Sequence, residues 1–206
     1  MLKKEYEILL PFAREPWRKL TFGEVKKLSK KRSESYVFNS LKKFVKRGVL
    51  KEKKAGNVVL YSANLESLKT QAYIGFIAEF VAWGRKQVPY RAMENIAEKI
   101  PTPFYTLMIT GSYANGTQRK DSDIDVVVVV DDNANPKKIY AELRMECEFS
   151  IPPIHLYAFR NEEFLGMLLD KKANYGKEIA RNNLLIFGAE NYYQIISEAV
   201  ENGFDG

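Results

Sequence analysis

Apolar positions recur at intervals of three and four residues through much of the chain and tighten into short alternating or unbroken runs elsewhere, which predicts helices mixed with strands. Tyr6, Leu9, Leu10 and Phe12 predict a short first helix whose end Pro11 and Pro16 bracket. Thr21 stands as an N-cap with Glu24 at the third helical position, a capping box for a second helix running to about Ser29. Ser33 opens a third, with Tyr36, Val37, Ser40, Leu41, Phe44 and Val45 on one face, and Gly48 ends it. Two strands follow, 49–53 and 58–61, with Lys54-Ala55-Gly56-Asn57 as the hairpin turn.

Beyond residue 63, Leu65, Leu68, Ala72, Tyr73, Phe76, Ile77, Phe80 and Val81 form the stripe of a long helix, a core face or a dimer seam. Pro89 starts another helix over 90–100, and Pro101 and Pro103 mark a loop. From there the pattern predicts strand (104–110), helix from Tyr113, strand (123–131), helix (136–148), strand (154–159) and helices from Asn161 and Tyr175. A short apolar run, Leu184 to Phe187, precedes a terminal helix from Ala189. The fold class is therefore α+β with a small mixed sheet flanked by helices, divided into a head (1–63), connecting helices (64–103) and a body (104–206).

Composition narrows the classes. An apolar content of 46% supports a packed core, while no run approaches the eighteen or so apolar residues of a membrane span. The first residues lack the apolar stretch of a secretory signal, so a cytoplasmic location and no membrane partner are expected. One cysteine, Cys147, and one histidine exclude an internal disulfide and a Cys/His zinc cluster, and Cys147 reads as a small buried residue. The net charge of +6 is unevenly spread: residues 1–63 carry 17 Lys and Arg against 6 Asp and Glu, and the remainder carries 15 against 20. A basic head on a mildly acidic body points to a polyanionic partner for the head, nucleic acid or an acidic protein face.

The chemistry concentrates in Thr110-Gly111-Ser112-Tyr113 and Asp121-Ser122-Asp123-Ile124-Asp125, the latter followed by five valines. In an extended strand Asp123 and Asp125 project to one side, roughly 6–7 Å apart along the backbone, a geometry for a divalent cation held jointly with substrate phosphates. Gly111 lets a ligand approach the backbone, and the Ser112 hydroxyl with neighbouring N–H groups suits a triphosphate. Arg119 and Lys120 are further candidates for phosphate contact, whereas Asp121 is expected to cap or shape the turn. This Gly-Ser and Asp-x-Asp pairing resembles the signature of the DNA polymerase β-like nucleotidyltransferases. The resemblance, strongest over 104–160, implies Mg²⁺ (or Mn²⁺) at Asp123 and Asp125, a nucleoside triphosphate at Gly111, Ser112, Arg119 and Lys120, and transfer of a nucleoside monophosphate to an acceptor hydroxyl. Many relatives carry a third acidic ligand where this chain has His155, a poorer ligand for Mg²⁺ that also suits proton transfer near neutral pH. Glu146 and Glu148 are the nearest acidic substitutes.

The order of elements over 1–63 resembles a winged helix-turn-helix, which implies DNA as a partner. In that fold the third helix enters the major groove, so Ser35, Asn39 and Lys43 are candidates for base contact, with Asn39 able to pair with adenine. Lys31, Arg32, Lys42, Lys51, Lys53 and Lys54 are candidates for phosphate contact. Such heads also dock proteins, and minimal nucleotidyltransferases include members of toxin–antitoxin pairs, which adds a partner protein and a homodimer to the expected associations. The competing expectation is a DNA-binding transcription regulator whose degenerate transferase body senses a nucleotide without turnover.

Overall fold

The computed structural model describes residues 4–206. A 3₁₀ turn (Lys4–Leu9) leads into α1 (Leu10–Arg14). The single helix expected over these residues is thus divided, because Pro11 supplies no N–H and so begins a helical segment where the sequence pattern placed its end. A two-residue strand β1 (Leu20–Thr21) precedes α2 (Phe22–Leu28) and α3 (Glu34–Lys46). The capping box at α2 is complete: Glu24 N–H donates to Thr21 Oγ1 at 3.2 Å, and Thr21 N–H donates to Glu24 Oε2 at 2.7 Å. Strands β2 (Leu50–Ala55) and β3 (Val58–Ala63) form the hairpin, and β1 pairs with the outer side of β3.

The remainder comprises α4 (Leu68–Trp83), α5 (Tyr90–Lys99), β4 (Tyr105–Thr110), α6 (Gly111–Asn115), β5 (Ile124–Val130), α7 (Pro136–Glu148), β6 (Ile154–Arg160), α8 (Asn161–Leu169), α9 (Tyr175–Arg181), β7 (Leu184–Phe187) and α10 (Ala189–Glu201). The sheet is ordered β6-β5-β4-β7; β5 runs parallel to β6, and β4 antiparallel to both β5 and β7. It is the small mixed sheet expected, with the apolar run 184–187 as its fourth strand. Among the described residues no helix is long and apolar enough to cross a membrane.

β5 reads as an unbroken apolar run because both its faces are covered. Val127 and Val129 enter a core that extends through α4, α8, α9 and α10 into the head, while Val126, Val128 and Val130 enter a second core with α5 and α7. The first core does not stop at residue 63. Ile8, Leu9 and Phe12 of the head share it with Ile74 and Ile77 of α4 and with Tyr193 and Ile196 of α10. The buried Tyr193 hydroxyl donates to the Ala13 carbonyl at 2.6 Å, and the rings of Trp17 and Phe204 meet edge to face at 5.1 Å. The stripe expected along α4 divides: its Ile77 is buried, together with Ile74 outside the stripe, whereas its Phe76 and Phe80 remain exposed, as does the neighbouring Trp83. Gly75 packs on the Ala189 methyl and lets α4 approach the start of α10.

α2 ends in a Schellman motif, with Lys31 N–H donating to the Lys26 carbonyl and Lys30 N–H to that of Lys27. Lys30 occupies the left-handed position of that motif at φ 54°, where a glycine is the relaxed choice. A side chain there costs about 1 kcal/mol. Lys30→Gly is therefore expected to raise Tm by about 2–4 °C, checked by calorimetry; an unchanged or lower Tm contradicts the assignment of strain.

Candidate active site

The antiparallel register of β4 and β5 sets Thr110 opposite Asp125, and the parallel register of β5 and β6 sets Asp125 opposite His155. β4 ends at Gly111, whose φ of +65° turns the chain from strand into α6. A Cβ at this position would overlap Asp125 Oδ2, so the carboxylate lies directly against the turn. Two hydrogen bonds strap that turn to the segment between α9 and β7: the Asn182 amide donates to the Gly111 carbonyl at 3.0 Å, and the Thr110 hydroxyl donates to the Asn182 carbonyl at 2.7 Å. Ser112 follows in α6, half-buried beside this corner.

From Gly116 the chain returns to β5 through a loop that carries Arg119 and Lys120, both exposed. The loop is shaped by Ser122, whose hydroxyl accepts from Arg119 N–H at 2.8 Å, and Asp121, expected to do this, is exposed with no hydrogen-bond partner among the described residues. Asp123 lies one residue before β5 and not within it. Its carboxylate and that of Asp125 nevertheless converge on one imidazole. His155 Nε2 is 3.3 Å from Asp123 Oδ2, and Nδ1 is 3.8 Å from Asp125 Oδ1. Burial pushes the Asp125 carboxyl above the usual range; His155 lowers it and Asp123 raises it further. Burial thus favours the protonated form of Asp125, and a nearby cation favours the charged one.

Among the described residues no group of three His, Cys, Asp or Glu side chains is placed to hold a metal alone. Two converging carboxylates beside a turn without a Cβ suit a hard cation that takes its other oxygens from a substrate polyphosphate. Glu146 and Glu148 are engaged elsewhere, with Lys99 and Arg144 respectively. Cys147 is buried, and burial pushes its thiol up to about 11, which keeps it inert near neutral pH.

A cavity of about 470 Å³ opens beside Asp125, between Thr110 and Gly111 on one side and Tyr157, Tyr175, Arg181 and Asn182 on the other. The Tyr157 and Tyr175 rings lie 4.8 Å apart, and burial raises the Tyr175 phenol strongly, leaving a neutral hydroxyl. Tyr157 had a sequence signal, since it follows His155 by two residues on the same strand face. Arg181 and Asn182 had none, because they arrive from a helix end some seventy residues after Gly111.

In the head, Ser35, Asn39 and Lys42 lie on the exposed side of α3, opposite the buried Val37, Leu41 and Phe44. Several expected cations already have acidic partners: Lys31 with Glu7, Lys42 with Glu52, Lys43 with Glu5 and Lys51 with Glu66. Arg32, Lys53 and Lys54 are exposed without an ion-pair partner among the described residues. Gly111→Ala tests the packing of the turn against Asp125: nucleotide affinity measured by calorimetry is expected to fall by about 10-fold or more, and Tm by only a few degrees. Retained affinity contradicts a functional role for that contact.

Searches of curated proteins and of solved structures return no match to the chain. Residues 93–179, less than half of the chain, match the family model for the nucleotidyltransferase domain, and that match supports a nucleotidyltransferase function of this general kind.

Proposed function

We propose that this protein is a metal-dependent nucleotidyltransferase whose head is a winged helix-turn-helix that binds DNA. The observation that carries the enzymatic reading is that Asp123 and Asp125 both approach the His155 imidazole, with Asp125 also against the Gly111 turn. These two aspartates would hold Mg²⁺ or Mn²⁺, which neutralises charge on the phosphates when bound. Gly111 and Ser112 receive the triphosphate, and Arg119 and Lys120 reach it from the neighbouring loop. In the transfer, the acceptor hydroxyl oxygen bonds to the α-phosphorus, the bond from that phosphorus to the bridging oxygen breaks, and pyrophosphate leaves. His155 stands beside both aspartates and takes the hydroxyl proton. Positioning and charge neutralisation supply most of the rate.

Incubating the protein with each labelled nucleoside triphosphate and Mg²⁺ or Mn²⁺, with and without cell lysate, tests this reading through release of pyrophosphate. Asp123→Asn and Asp125→Asn are each expected to lower turnover by about 100-fold or more, with the fold intact by circular dichroism. Undiminished turnover in both variants removes them from catalysis.

The second reading, a regulator that senses nucleotide without turnover, draws support from His155, an imidazole where a third carboxylate would complete the ligand set. Reversible retention of nucleotide with no pyrophosphate favours it. A toxin–antitoxin partner protein belongs to either reading, and Phe76, Phe80 and Trp83 share an exposed side of α4 on which a homodimer would pair.

Support for the head as a DNA reader comes from its three helices, its hairpin and the exposed polar side of α3. If Arg32, Lys53 and Lys54 are its three phosphate contacts, affinity for duplex DNA falls by about 40-fold between 50 and 200 mM salt. Affinity indifferent to salt in a filter-binding titration overturns DNA binding by this route.

A further inference from the structure

A second and larger cavity, about 620 Å³, lies between head and body. Its head side is α1 and the turn from Leu28 to Lys31; its body side is α4, α6 and the end of α9. Leu10, Pro11, Ala78 and Val81 form an apolar floor, and Asn115 offers an amide without a partner among the described residues. The volume is that of a site for a molecule of nucleotide size and too small for a folded partner.

The charge of this cleft is one-sided. Its two acidic side chains are already matched, Glu7 by Lys31 and Glu15 by Arg18. Arg14, Lys30, Arg85 and Arg181 line the same space, and none is paired with an acidic side chain among the described residues. Arg181 gives one donor to the Gly206 carbonyl at 2.5 Å and keeps the others. Four cations around one concave space concentrate positive potential and select a phosphate over a neutral ligand.

Lys30 gives a second, independent indication. It holds the left-handed position at φ 54° that favours glycine, so the fold keeps a strained residue at the rim where a relaxed one would remove an ammonium group. Position completes the argument. Arg181 and Asn182 line both this cleft and the smaller cavity beside Asp125, so the same two residues border both spaces.

We infer that the head–body cleft binds a phosphorylated small molecule of nucleotide size and presents it to Asp123 and Asp125 as the acceptor of the transfer. The acceptor role rests on the transferase reading above; the binding does not.

Calorimetric titration of the full chain carrying Asp123→Asn and Asp125→Asn, in EDTA, isolates the cleft from the metal-dependent site. The probes are 5′-AMP and inorganic phosphate. AMP is expected to bind more tightly than phosphate, and its affinity to fall by about 10-fold or more on adding Arg14→Ala or Lys30→Gly. Arg14→Lys is expected to retain most of it. Lys30→Gly separates binding from folding, because it weakens AMP while raising Tm. No AMP binding, AMP no tighter than phosphate, or full affinity in both head variants overturns the site. MgATP titrated into the unaltered chain decides the other question. If MgATP fails to bind while the AMP result holds, the transferase reading and the acceptor role fall and the cleft remains a phosphate-ligand site.

Discussion

The structure depends on β5 being dry on both faces. Its valines alternate between two cores, and each such side chain, fully buried, contributes about 1.5–3 kcal/mol relative to exposure. Because a shift of one residue would send every valine to the wrong core, the register against β4 and β6 is strongly specified. That register sets Asp125 opposite both Thr110 and His155. The carboxylates stand where the apolar strand emerges from the sheet, and their placement follows from hydrophobic packing farther along the same strand.

Head and body are joined by the same physics. Phe12, Ile77 and Tyr193 belong to one apolar cluster, and the Tyr193 hydroxyl caps the Ala13 carbonyl. Leaving that buried carbonyl without a donor would cost about 1–3 kcal/mol, so the contact resists separation of the halves. A shared core fixes the walls of the cleft between them. Lys30, at the end of α2, reaches the rim in a conformation the backbone disfavours.

Much of the local structure was legible in the residues. Thr21 and Glu24 announce a capping box because the two partners are three residues apart, and Ser33 and Asn174 cap their helices within the same short reach. Pro11 was misread by pattern alone, since a proline both ends helices and starts them, and the choice depends on what packs around it. The stripe on α4 is core only in part. Helical spacing places Phe76 and Phe80 near Ile77, but the core reaches only as far as α10 and the sheet extend.

The ionic state of the head lay beyond the sequence. Lys31, Lys42, Lys43 and Lys51 look like a free basic surface in a composition count, yet their acidic partners come from 10 to 38 residues away in several elements, beyond any local pattern. The amino-acid sequence by itself determined the strand that begins beside Asp125 and the turn at Gly111, because strand periodicity and backbone freedom at glycine are local properties, whereas Asp123 falls one residue outside that strand. Tertiary structure alone decided that Asn182 straps the Gly111 turn, that Tyr157 and Tyr175 wall the cavity, and that Arg14, Lys30, Arg85 and Arg181 face one cleft. Those groups come from distant parts of the chain, and only packing of the two cores brings them together.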